Sequence, residues 1–153
     1  MSRIIDAPVE RVWKAWTDPD CIRRWWGPKY YTSPFCKLDL REGGQLILCM
    51  RAPEEQGGRH QYTAGVFKKI VPGERLEFTQ AMSDPHGNPV HPSLAGLPSD
   101  FPSEVSTEVA FKPLRGDMTE LTVVERGWTL SPMMVYSIAG LNQAIDKLVE
   151  TLK

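Results

Sequence analysis

Apolar residues recur at Val9, Val12, Trp13 and Trp16, offsets of 0, 3, 4 and 7 that lay a single stripe along one amphipathic helix ending near Thr17. Pro8 stands at its tolerated early position. Asp18 followed by Pro19 reads as an N-cap and first-turn pair, so a second, short helix should run through Ile22 to Trp25 and stop at Gly27-Pro28. Arg3-Ile4-Ile5, ahead of both, reads as the tail of a strand, shortened or at an edge so close to Met1. From Thr32 to Arg126 the period changes from that of a helix to two. Strands are expected at 32–40, 44–51, 60–71, 75–82, 103–112 and 118–126. The clearest is the fifth, in which Val105, Thr107, Val109 and Phe111 alternate with Glu104, Ser106, Glu108 and Lys112. Glu42-Gly43-Gly44, Gln56-Gly57-Gly58, Pro72-Gly73 and Arg115-Gly116-Asp117 supply the turns, and strands joined this closely form an antiparallel meander.

Past Ser131-Pro132 the helical period returns, with Met134, Ile138, Leu141, Ile145, Leu148 and Leu152 spaced by fours and threes. A helix from Pro132 to the end of the chain would span roughly 33 Å, about the length of strands of eight to ten residues. With one apolar face on each, the helix is expected to lie across the concave side of the sheet. Gly140 interrupts it and marks either a close backbone approach, the favoured reason, or a kink. The 153 residues amount to one domain, large enough to bury a core without disulfide or metal staples.

Composition narrows the function classes. Eighteen Lys and Arg against nineteen Asp and Glu leave a net charge of −1, with no basic excess to attract a phosphate backbone, so nucleic acid is not expected as a partner. No apolar run is long enough to span a membrane, and no charged segment precedes an apolar one at the N-terminus. Cys21, Cys36 and Cys49 fall in no metal or redox spacing and are expected to be reduced, buried thiols. A soluble cytoplasmic protein is the expectation.

Ala7-Pro8 with Val12-Trp13, Trp25-Trp26-Gly27-Pro28 and Asp39-Leu40-Arg41-Glu42-Gly43-Gly44 stand in order along the chain, followed by Gly65-Val66-Phe67, Pro72-Gly73-Glu74-Arg75-Leu76 and Thr119 to Thr122. In that order and spacing the chain resembles, over nearly its whole length, the activator-of-Hsp90-ATPase-homologue-like family of the START/Bet v 1-like (SRPBCC) superfamily. The resemblance implies an α+β helix-grip fold, a curled antiparallel sheet around a long C-terminal helix with a cavity between them. Gly140-Leu141 stands where the family often carries Gly-Trp, which alters the cavity wall. The eukaryotic activators also have a separate chaperone-binding domain without a counterpart in these residues, so Hsp90 activation is not expected.

The leading functional expectation is therefore a binding module for an apolar small molecule, such as a lipid, a polyketide-like or an aromatic compound. Trp25, Trp26, Leu76, Phe78, Val109, Phe111, Met134, Ile138 and Leu141 are the candidate ligand-binding residues. Trp13 and Trp16 are large rings that can fill a core as well as line a pocket. Superfamily relatives of the aromatase/cyclase and hydrolase type make a cavity enzyme the alternative, with His60, Tyr62 and Arg126 as the nearest polar candidates, although none stands out as a catalytic residue. A chaperone-associated or homodimeric interaction module is the third reading.

The segment 83–102 holds five of the thirteen prolines and two of the three histidines, so it cannot be regular structure throughout. It reads as a solvated loop, a lid or a dimer contact, with Leu94, Leu97 and Phe101 available to dock. Asp84, His86 and His91 have the residue types of a metal site but not its spacing, and no metal or cofactor is expected. Glu104, Glu108 and Glu120 read as a solvated sheet face, and Asp39 and Arg41 as partners beside a turn.

Overall fold

A computed structural model describes residues 1–153. Strand β1 (Ser2–Ile5) is followed by helices α1 (Val9–Thr17) and α2 (Pro19–Ile22), then by β2 (Cys36–Leu38), β3 (Gln45–Arg51), β4 (His60–Val71), β5 (Arg75–Ser83), β6 (Val105–Leu114), β7 (Met118–Arg126) and the long helix α3 (Pro132–Thr151). The seven strands form one sheet in the order β1-β7-β6-β5-β4-β3-β2, with every neighbouring pair antiparallel. This is the helix-grip arrangement that the periodicity and the resemblance imply. No helix is long and apolar enough to cross a membrane.

Strand β6 starts and ends two residues later than expected, and two other elements depart further from their expected bounds. The strand expected over 32–40 is only three residues long, because Pro34 has no amide hydrogen for the ladder. Before Pro34 the chain touches the sheet at one bridge, Thr32 to Arg51, and through the Ser33 hydroxyl, which donates to the Cys49 carbonyl at 2.7 Å. Helix α2 stops at Ile22, short of Trp25. Its Asp18 cap is as expected, the carboxylate accepting from the Asp20 amide at 2.9 Å.

The region between α1 and α2 explains the placement of Trp25. The carbonyl of Ala15 should accept from the residue four positions on, but that residue is Pro19, which has no N–H. The indole Nε1 of Trp25 donates to it instead at 2.9 Å, inside the core. Thr17 Oγ1 similarly donates to the Trp13 carbonyl at 2.8 Å. Trp25 is thus both a buried ring and a cap for a helix end that the following proline leaves short of a donor.

The core occupies one half of the sheet's concave side. Leu46, Leu48, Phe67, Leu76, Val109, Phe111 and Leu121 project from the strands into α1 and the C-terminal half of α3, which contributes Ala144, Ile145 and Leu148. Trp13 meets Phe111 edge to face at 5.1 Å. Gly140 has the close approach its position suggested: a Cβ there would lie 3.3 Å from Pro28 Cγ. Below it, Lys147 Nζ donates to the carbonyls of Pro28 and Tyr31 at 3.2 and 3.1 Å, tying the C-terminal half of α3 to the loop after α2.

Candidate functional site

The other half of the concave side is hollow. A cavity of about 430 Å³ opens between the ends of β3–β7, the N-terminal half of α3 and the 83–102 segment. Its boundary follows from what each strand turns inward. Along β5 the inward series runs Leu76, Phe78, Gln80, Met82; along β6 it runs from Phe111 and Val109 back to Thr107 and Val105; along β7 it runs Leu121, Val123, Glu125. Leu76, Val109, Phe111 and Leu121 belong to the core alone, whereas Gln80, Thr107 and Glu125, with Gln61 and Thr63 of β4, lie in the cavity wall beside the apolar Phe78, Met82, Val105 and Val123. The sheet therefore contributes a polar strip, and the helices and loops contribute most of the apolar surface.

The polar strip is only partly satisfied. Gln80 Nε2 donates to Thr63 Oγ1 at 2.9 Å. Thr107 is the cross-strand partner of Glu125, yet its buried hydroxyl has no hydrogen-bond partner. The same is true of the indole nitrogen of Trp16, which also belongs to the wall. Glu125 Oε2 accepts from Trp128 Nε1 at 3.1 Å. Burial raises the Glu125 carboxyl above the ordinary glutamate range, against smaller lowering effects from the Trp128 bond and the chain's amino terminus. Chemically, such a group can pair with a cation, donate a hydrogen bond when protonated, or exchange a proton with a bound molecule.

Of the nine candidate ligand-binding residues, Trp26, Phe78 and Leu141 line the cavity. Trp25, Leu76, Val109 and Phe111 do not: all four are buried in the packed half of the interior, Trp25 because its indole caps Ala15. Met134 and Ile138 also lie outside the wall, and Ile138 is 53% exposed. On α3 the wall is formed by Met133, Tyr136, Ser137, Gly140, Leu141 and Ala144. Successive helical residues are 100° apart. The helix is apolar nearly all round between Met133 and Ile138, so a stripe drawn back from Ile145 and Leu148 picks Met134 over Met133.

The 83–102 segment is more than a solvated loop, since Leu97, Phe101 and Pro102 form part of the cavity wall. Phe101 packs edge to face on Trp128 at 5.2 Å, and Thr129 Oγ1 donates to the Asp100 carbonyl at 3.0 Å. Asp84 holds its own turn, its carboxylate accepting from the His86 and Asn88 amides at 2.8 and 2.9 Å. His91 caps the short 3-10 turn Pro92–Ala95. His60 and Tyr62 border a neighbouring depression and not the cavity, and Arg126 pairs with Glu108 on the outer face at 2.9 Å. That face is less solvated than expected at Glu108, which also binds Arg75 and is only 19% exposed. Glu104 precedes β6 and is not part of a strand. Asp39 and Arg41 pair at 2.8 Å, as their position suggested.

Reasoning from sequence missed Glu125 altogether. The available signal was parity: Thr119, Leu121 and Val123 alternate inward, and the next position in that series is Glu125.

A seven-stranded antiparallel sheet curled about one long C-terminal helix, with a cavity between them, defines a Bet v 1-like protein of the SRPBCC superfamily. Within it the chain belongs to the family described as Activator of Hsp90 ATPase homolog 1-like protein, whose model matches residues 6–153. Among solved structures, a protein of Arthrobacter aurescens is 26% identical, with a TM-score of 0.80 over 99% of this chain and 83% of that one. A protein of Chromobacterium violaceum is 27% identical, with a TM-score of 0.75 over 99% of this chain and 94% of the other. CalU16 of Micromonospora echinospora is also 27% identical, with a TM-score of 0.64 over 99% and 73% of the two chains. No curated protein matches the chain at a significant level.

Proposed function

We propose that this protein binds a mostly apolar small molecule in the cavity between its sheet and C-terminal helix. The observation that carries the reading is the cavity itself, about 430 Å³ and walled mainly by apolar side chains, in a chain whose other half is close-packed. A guest there gains roughly 25 cal/mol for each Å² of apolar area it removes from water. The three unpaired cysteines suit a reducing compartment and favour the cytoplasm as its location.

Titration with the neutral fluorophore N-phenyl-1-naphthylamine tests the reading. Saturable one-to-one binding with a blue-shifted emission is expected, and Ser137→Phe, which fills the cavity from a half-buried position on α3 outside the core, should abolish it while leaving the circular dichroism spectrum unchanged. No saturable binding of this probe, together with no small molecule released on denaturing the purified protein, would overturn the proposal.

A second reading, chemistry on the enclosed molecule, is favoured by Glu125, a carboxyl raised by burial within the wall. It requires conversion of a bound compound that Glu125→Gln abolishes without weakening its binding. Bound compounds recovered unaltered after prolonged incubation would reject it.

A further inference from the structure

From Glu125 and its surroundings we infer the chemical class of the guest: an apolar, aromatic-sized body carrying a protonated amine, with the ammonium group seated on the Glu125 carboxylate. The inference rests on the binding reading above and adds the head group to it.

The geometry supplies a carboxylate with an open side. Oxygen Oε2 accepts from Trp128 Nε1, and no protein group donates to Oε1. The basic side chains of the surrounding elements are engaged elsewhere. Arg126 and Arg75 are held by Glu108 on the outer face of the sheet, and Lys147 is bound to the carbonyls of Pro28 and Tyr31. The amino group of Met1 donates to the Val123 carbonyl at 2.8 Å and exerts only a minor pull on Glu125. A carboxylate taken out of water without a basic partner is costly, and a cationic guest would supply the missing charge.

The rest of the pocket suits the same head group. An ammonium has three hydrogens to donate. Glu125 Oε1 can take one, and the unpartnered hydroxyl of Thr107, directly across the strands, can take a second. The wall also contains Trp26, Phe78 and Phe101, and aromatic rings attract a cation when water is excluded. A carboxylate guest would meet like charge at this point, and a neutral alcohol would leave the Glu125 charge unmatched.

Three probes of one shape separate these cases: 2-(2-naphthyl)ethylamine, 2-(2-naphthyl)ethanol and 2-naphthylacetate, titrated calorimetrically at neutral pH and low salt. The amine should bind about tenfold tighter than the alcohol or better, as one charge-assisted hydrogen bond implies, and the acetate should bind weakest. In Glu125→Gln the amine should fall to within about threefold of the alcohol while the alcohol is unchanged. Trp128→Phe, which frees Oε2 from its competing donor, should strengthen amine binding and provides a gain of affinity that misfolding cannot mimic. Equal binding of amine and alcohol, tighter binding of the acetate, or an amine preference that survives Glu125→Gln would overturn the inference and leave the cavity reading intact. Failure of all three probes to bind would overturn both.

Discussion

Trp25→Phe separates a ring that holds the fold from a ring that faces a guest. In the native chain the Trp25 indole is wholly buried and its Nε1 is the donor to the Ala15 carbonyl, which Pro19 leaves without its helical partner. Phenylalanine keeps most of the apolar ring but has no N–H. The buried carbonyl then loses its hydrogen bond, which costs about 1–3 kcal/mol. The smaller ring leaves a void that adds about 1 kcal/mol. A total near 3 kcal/mol corresponds to a drop in Tm of roughly 6–12 °C for a domain of this size. Urea unfolding followed by far-ultraviolet circular dichroism gives the free energy, and a thermal melt gives the shift. The same substitution one position on, Trp26→Phe, removes no such bond and should cost about 1 kcal/mol or less, but should weaken probe binding because Trp26 lines the cavity. A loss below about 1 kcal/mol for Trp25→Phe, or a larger effect on probe affinity than that of Trp26→Phe, would refute the assignment of Trp25 to the fold and not to the site.

Three further outcomes follow from groups whose surroundings are equally specific. Burial raises the folded-state pKa of Glu125, so the folded form holds its proton more tightly than the unfolded form. The associated stability is fully present below the ordinary glutamate range and is lost as pH rises through the raised value; the stability of the native protein relative to Glu125→Gln should therefore decline across that interval in urea titrations, and a difference that stays flat or grows would contradict this. Lys147→Met removes the donor to two loop carbonyls and should cost about 1–3 kcal/mol, checked by the same unfolding assay; an unchanged midpoint would show that the loop needs no such tie. Burial pushes the Cys36 thiol up to about 12. At pH 8 a thiolate-directed reagent should therefore modify Cys36 far more slowly in the folded protein than in the urea-unfolded chain, as read by peptide mapping, and equally rapid labelling of both would refute it.

How far the chain discloses its own structure depends on which interaction decides each element. The meander and the long helix are legible because their periods, two and 3.6, recur over many residues and each has a dry face to bury. Strand β2 was overextended because the alternating pattern does not register that Pro34 cannot donate to a ladder. Trp25 and Trp26 are adjacent and chemically identical, so nothing local says which fills the core. The answer lies in a carbonyl ten residues earlier that lacks a donor. On α3 the stripe is right at Leu141 but selects Met134 and Ile138 where the wall takes Met133 and Ser137, because the helix is apolar nearly all round there and only the neighbouring loop and strands decide which side faces the cavity. Glu125 was overlooked for a related reason: a charged residue near the end of a strand reads as solvated unless its parity is counted from Val123.

The surfaces of the cavity limit how it can be occupied. The cavity of about 430 Å³ is partly open to solvent, so no dry void is sealed inside the fold. The cavity must therefore hold water or a guest. Water is a poor occupant over most of the surface, because the apolar side chains of α3 and of the 97–102 segment offer it no hydrogen bonds. It is a good occupant only along the strip from Thr63 to Glu125, where the Thr107 hydroxyl lacks a partner. A molecule that is apolar along most of its length and polar at one end satisfies both surfaces together, as neither water nor a pure hydrocarbon can. The inward residues of β6 and β7 turn polar in one cross-strand row, Thr107 opposite Glu125, and β5 follows one row on with Gln80; this stepped transition divides the concave side into a packed half and a receptive half.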